Sequence, residues 1–196
     1  MISSKIGHSL DPLLVRVYQL FFRDTIVKPN LLTVIGLSFG FICLILVVSN
    51  RLLFAGLALL ISGFFDLLDG AVARQYGRVT AYGGFLDSVL DRYTDLAVVF
   101  GIFVYFLNRD NTSFAILTFV AATGIVLVSY IRARAEAASL RCKSGLLERP
   151  ERTILLIIGL CFGLLKPVVI LLAILAHLTA IQRILIVRKA ARSGNS

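Results

Sequence analysis

A chain of 196 residues is one domain by length, and its 58% hydrophobic content and mean hydropathy of +0.91 exclude a soluble globular protein. In a soluble chain the net charge of +9 would suggest nucleic acid; here the charges read as membrane topology, and no nucleic-acid partner is expected. Cys43, Cys142 and Cys161 are far apart and read as apolar fillers, or for Cys142 a loop thiol, rather than as disulfide or metal-site cysteines.

Near the N-terminus, Asp11, Arg16, Arg23, Asp24 and Lys28 interrupt any apolar stretch, which is not the pattern of a cleavable signal. Leu10, Leu13, Leu14, Val17 and Phe21 recur at i, i+3, i+4, i+7 and i+11, with Asp11, Arg16, Gln19 and Arg23 mostly off that stripe. Residues 1–27 therefore read as an amphipathic helix lying on the cytoplasmic membrane surface. Lys28-Pro29-Asn30 breaks the chain and starts a new helix, because proline fits a first helical turn and constrains the residue before it.

From there to residue 196 the pattern predicts an all-α integral membrane domain of six transmembrane helices. Leu31 to Val48 is uncharged and long enough to span, and Ser49-Asn50-Arg51 is a tight turn. The second span runs apolar from Leu52 to Phe65 and then meets Asp66, about 20 Å along its axis. Gln75 to Tyr82 connects to a third helix beginning near Ala81, whose apolar run is Leu96 to Leu107. The fourth span is Ser113 to Ile131. A connection from Arg132 to about Arg152 follows, carrying Arg141, Lys143 and Arg149 among its cations. The fifth span, Thr153 to Leu165, is short and is expected to start earlier, near Glu148, and to turn at Lys166-Pro167. The sixth runs from Val168 through Val187, before a frayed tail from Lys189 to Ser196. With the N-terminus inside, only Arg51, Arg109 and Lys166 face outward and Arg92 lies within a helix, so the cation bias places both termini in the cytoplasm.

Within this apolar chain, Asp66 and Asp69 are three apart and Asp87 and Asp91 four apart, so each pair projects from one helix face. Charges inside a membrane need a polar cavity. Brought together, these carboxylates make hard oxygen ligands suited to Mg²⁺ or Mn²⁺ holding a phosphate. Both acidic halves open toward the cytoplasmic side.

The series Asp66-x2-Asp69-Gly70-x2-Ala73-Arg74-x8-Gly83-x3-Asp87-x3-Asp91 resembles the signature of the CDP-alcohol phosphotransferase family at all eight positions. Eight prescribed residues agree by chance on the order of once in 10¹⁰ starts. The resemblance implies a homodimeric membrane enzyme that displaces CMP from a CDP-linked lipid, CDP-diacylglycerol or CDP-archaeol, by attack of an alcohol, with two divalent cations at the acids. It makes Asp66, Asp69 and Asp87 metal ligands, with Asp91 completing the site and acting as the base for the hydroxyl proton. It also gives Asp66, Gly70, Ala73, Arg74 and Gly83 to the nucleotide end of the CDP-lipid.

Ser129-Tyr-Ile-Arg132-Ala-Arg134-Ala-Glu136 and Gly145-Leu-Leu-Glu148-Arg149-Pro-Glu151-Arg152 are similar to the corresponding segments of phosphatidylinositol-phosphate and archaetidylinositol-phosphate synthases, whose acceptor is inositol 1-phosphate. A phosphorylated acceptor needs cations beside the acids, and Ser129, Arg132, Arg134, Arg152 and Arg183 are the expected set. Asp95 and Arg92 either orient the ligands or form a surface ion pair. Arg149 is read as an acceptor contact or as a partner of Glu148 and Glu151. Phosphatidylglycerol-phosphate synthesis is the alternative within the family. A cation transporter is the alternative outside it, and would place its acids at the midplane or within reach of both faces.

Overall fold

A computed structural model describes residues 2–21, 28–140, 142 and 145–193, with the side chains of residues 2–10, 21 and 193 outside the description. Residues 22–27, and with them the boundary expected at residue 27, together with Arg141, Lys143 and the last three residues of the tail, lie outside the described residues.

Among the described residues there are seven helices and no strand: α1 (Ile2–Phe21), α2 (Pro29–Val48), α3 (Leu52–Gln75), α4 (Ala81–Leu107), α5 (Thr112–Ala137), α6 (Arg149–Cys161) and α7 (Leu165–Ser193). Four of them, α2, α3, α5 and α7, are long and apolar enough to cross a membrane. α4 has the length but carries Asp87, Asp91, Arg92 and Asp95, while α6 has only 13 residues.

The packing closes a ring. α2 lies against α3 and α4, α4 against α5, α5 against α7, α7 against α6, and α6 returns to α3. Close approach of α2 to its neighbours depends on small residues. Ser62 Oγ donates to the Gly36 carbonyl at 2.7 Å, and a Cβ on Gly40 would stand 2.7 Å from Thr94 Cγ2. Away from the acids the ring is filled by Cys43, Val47, Leu59, Val98, Ile102, Ile125, Leu160 and Leu172, all nearly inaccessible. The three cysteines are free. Beyond that core Arg109 of the α4–α5 turn donates to Asn50 of the α2–α3 turn at 2.5 Å, tying the two loops together.

Local chemistry sets the joint between α3 and α4. Gly77 takes φ +62, Arg78 N–H donates to the Ala73 carbonyl at 2.8 Å and Gly77 N–H to that of Arg74 at 3.3 Å, a Schellman end that needs the left-handed glycine. Thr80 then caps α4 by accepting from Gly83 N–H at 3.0 Å.

Three boundaries differ from the sequence reading. α5 continues to Ala137, because Arg132 and Glu136 pair at 2.9 Å one turn apart and the alanines between favour helix. α6 stops at Cys161 rather than Leu165, where Gly163 at φ +69 makes the reversal, and Lys166-Pro167 sits in the first turn of α7, where proline costs nothing. α7 holds its helix through Lys189 to Ser193, where a frayed tail was expected.

α1 docks on the C-terminal half of α3. Its buried side chains are Leu14, Val15 and Tyr18, packed with Leu32, Leu68, Ala71 and Val72. Of the stripe read from the sequence, Leu14 lies in this contact, Val17 is half-buried and Leu13 is 59% exposed, so the face on α3 is rotated from the expected one toward Val15 and Tyr18.

Candidate active site at the acidic end of the ring

Asp66 and Asp69 come from the last turns of α3, Asp87 and Asp91 from the first half of α4 and Asp95 from its middle. With α2 wedged against both helices, the two faces meet. Asp66, Asp87 and Asp91 each present a carboxylate oxygen within 4.8 Å of the others. Asp69 is 5% exposed, and its Oδ2, like Asp87 Oδ1, is buried without a hydrogen-bond partner among the described residues. Buried oxygens in that condition are rare in a folded chain. Hard donors converging from two helices with unused lone pairs fit divalent cations.

Arg149 enters this cluster from the first turn of α6. Its Nη1 lies 2.6 Å from Asp66 Oδ2 and its Nη2 2.6 Å from Asp91 Oδ1. The sequence reading offered Glu148 and Glu151 as its partners; the guanidinium turns instead to two motif acids. Two hydrogen bonds from the preceding loop to α7 fix its approach: Leu147 N–H to Thr179 Oγ1 at 3.0 Å and Leu146 N–H to Gln182 Oε1 at 3.1 Å.

One turn further along, Arg152 is 2% exposed and ion-paired to Asp95. Arg92 stands 3.7 Å from Asp91 and 3.8 Å from Asp95, and donates to Ser129 of α5. Arg183 of α7, 3% exposed, donates to the Val128 carbonyl at 2.7 Å. These groups wall a cavity of about 670 Å³ that runs from Asp87 and Asp91 toward α5 and α7, and Arg132, Glu136 and Glu148 also line it. Of the five expected acceptor residues, Ser129, Arg132, Arg152 and Arg183 line this cavity. Arg134 is exposed and does not, being two residues and so about 200° round α5 from Arg132.

A second cavity, of about 370 Å³, opens between α3 and α6 and is lined mainly by Leu59, Leu60, Leu67, Val98, Ile154 and Ile157. Asp95 and Arg149 border both cavities, and Asp66 the apolar one.

Gly70 and Ala73 near the end of α3 and Gly83 in the first turn of α4 are half-buried, and Arg74 is exposed. A Cβ on Gly83 would stand 3.0 Å from Thr80 Oγ1 and 3.4 Å from Asn30 Oδ1. Arg74 is bound on one edge by Asp11 of α1, Nε to Oδ2 at 2.9 Å and Nη2 to Oδ1 at 2.8 Å.

Sequence reasoning weighed Arg149 but missed its hold on Asp66 and Asp91, and it missed Asp11 altogether. Asp11 left no signal. For Arg149 one existed: Arg149 and Arg152 are three apart, Asp91 and Asp95 four apart, so two cations on one helix face can meet two acids on another, rung for rung.

The family model described as CDP-alcohol phosphatidyltransferase matches residues 26–186. The chain is 38% identical over 169 residues to an archaetidylinositol phosphate synthase of Pyrococcus horikoshii, covering 86% of this chain and 87% of that protein. The crystal structure of Mycobacterium tuberculosis phosphatidylinositol phosphate synthase with CDP-DAG bound superposes with a TM-score of 0.77 at 29% identity, covering 93% of this chain and 94% of that one. The same synthase in complex with manganese and citrate gives a TM-score of 0.78 at 29% identity, covering 93% and 87%.

Proposed function

This chain belongs to the CDP-alcohol phosphatidyltransferase family, and from that premise we propose that it transfers a phosphatidyl or archaetidyl group from a CDP-linked lipid to inositol 1-phosphate, releasing CMP. The observation that carries the choice of a phosphorylated acceptor is the cavity beginning at Asp87 and Asp91 and walled by Arg92, Arg132, Arg149, Arg152 and Arg183, and the likeness to inositol phosphate synthases supports inositol as its alcohol. A neutral alcohol has no use for so many guanidinium groups, whereas a phosphate monoester needs several.

Asp66, Asp69, Asp87 and Asp91 would hold two Mg²⁺ or Mn²⁺ ions, which when bound neutralise the diphosphate and make CMP a better leaving group. The apolar groove between α3 and α6 receives the lipid tails from the side, and Gly70, Ala73, Arg74 and Gly83 take the nucleotide. Ser129, Arg132, Arg152 and Arg183 orient the phosphate of the acceptor. One of its free hydroxyl oxygens then bonds to the lipid-side phosphorus as the bond to the CMP oxygen breaks, and Asp91 accepts that hydroxyl's proton. α4 and α6 complete the ring and are taken as spans, making six, with α1 on the cytoplasmic surface, the site facing the cytoplasm and the enzyme a homodimer.

Purified protein given CDP-diacylglycerol or CDP-archaeol with Mn²⁺ and, in parallel, inositol 1-phosphate, free inositol, glycerol 3-phosphate or serine tests the reading. CMP release fastest with inositol 1-phosphate is expected. Preference for glycerol 3-phosphate would reassign the cavity, and no CMP release with any acceptor would remove the enzyme reading.

A further inference from the structure

We propose that Asp11, on the N-terminal helix and outside the acidic motif, is a positioning residue for the nucleotide half of the site: it fixes the Arg74 guanidinium across Gly70, where a phosphate or ribose oxygen of the CDP-lipid meets it. The inference rests on the donor assigned under the proposed function.

Asp66, Gly70 and Arg74 are spaced by four and form one row along α3, with Arg74 about 12 Å from Asp66 along the axis. Helix side chains lean toward the N-terminus. Arg74 accordingly folds back over Gly70, so that a Cβ there would stand 3.0 Å from Nη1. Asp11 takes the other edge of the guanidinium, Nε and Nη2, in a two-bond fork of 2.9 and 2.8 Å. A fork of this kind sets the plane of the group and leaves its Nη1 end directed along the row toward the acids.

The side chain of Arg74 is 42% exposed. Held by its stem alone, it would exchange among rotamers and lose that freedom on meeting a ligand. Asp11 removes the freedom beforehand, which is preorganisation. α1 is itself fixed for the task by Leu14, Val15 and Tyr18 against Leu68, Ala71 and Val72, and by a Tyr18–Tyr76 ring contact at 6.1 Å. The helix that rests on the membrane thus also completes the nucleotide site.

The test is calorimetric titration of CMP, with Mn²⁺ present, into the full-length protein in lipid nanodiscs. Asp11→Asn and Arg74→Gln are each expected to weaken CMP binding about ten-fold. The double variant is expected to bind no more weakly than Arg74→Gln alone, and Asp11→Glu to recover most of the loss. The charge-reversed pair Asp11→Arg with Arg74→Asp separates structure from function: it should regain the melting temperature and not the CMP affinity. Wild-type affinity in Asp11→Asn, full additivity in the double variant, or CMP binding restored by the reversed pair would overturn the assignment and leave the proposed function standing. A wild-type protein that binds no CMP would overturn both.

Discussion

Arg149 holds Asp66 across the α3–α6 boundary, Nη1 to Oδ2 at 2.6 Å, and with its other terminal nitrogen holds Asp91. One cation on a short helix therefore ties together acids from the two halves of the motif. The two carboxylates it engages belong to the group best placed to bind divalent cations, so the guanidinium and a bound metal would compete for the same negative charge.

Replacing Arg149 with Gln is expected to lower stability in the absence of divalent cations by about 2 kcal/mol, since two partly buried carboxylates lose their counter-charge. Mn²⁺ then supplies the missing charge, so the rise in melting temperature on adding Mn²⁺ should be larger in the variant than in the wild type. Equal shifts would mean that Arg149 and metal do not share those oxygens.

Asp69→Asn removes a negative charge from a site where its Oδ2 is buried and has no hydrogen-bond partner among the described residues. The expected result is an unchanged or higher melting temperature without metal, together with a loss of CMP release of about 10²–10³-fold. Ion flux across proteoliposomes that changes while CMP release stays intact would instead favour a transporter.

Arg152 and Asp95 form a pair in which both side chains are nearly inaccessible. Asp95→Asn alone is expected to cost about 3 kcal/mol, because it strands a buried guanidinium. Combining it with Arg152→Gln should return much of that stability in a denaturant titration. The double variant should still show a raised KM for inositol 1-phosphate; a normal KM would confine Arg152 to the pair.

The cavity distinguishes Arg183 from Arg134. Arg183→Gln should raise the KM for inositol 1-phosphate about ten-fold, with KM for the CDP-lipid unchanged. Arg134→Gln, on the far side of α5, should leave both KM values within about two-fold of wild type. Steady-state kinetics with each substrate varied in turn decides.

Gly40→Leu places a side chain where Cβ alone would meet Thr94. Overpacking of this kind is expected to cost about 1–3 kcal/mol. Because α2 holds α3 and α4 at their working distance, Mn²⁺ affinity should fall as well, which equilibrium dialysis would measure.

The acidic motif was legible because four carboxylates in an apolar chain have few explanations, and their spacing is a property of single helices. The α3–α4 joint was legible for the same local reason: Gly77 and Thr80 end and begin helices by bonds within a few residues of themselves. Arg149 and Asp11 were not, because each acts on a helix remote in sequence, and no local spacing states which helices become neighbours. The arginines at 132 and 134 were grouped as cations that a phosphorylated acceptor needs beside the acids; because α5 runs on to Ala137, helical rotation separates them. In α1 the apolar arc was visible, but not its division between a face on α3 and a face turned outward, since apolar side chains serve either purpose equally.

Asp95 and Arg149 stand between an oily groove and a charged cavity and belong to both. On the proposed function they would form a septum with the donor's diphosphate at its rim, and water entering the charged cavity ahead of an acceptor would be a rival nucleophile. Thinning the septum should turn a transferase toward a wasteful hydrolase, seen as CMP appearing with no alcohol supplied.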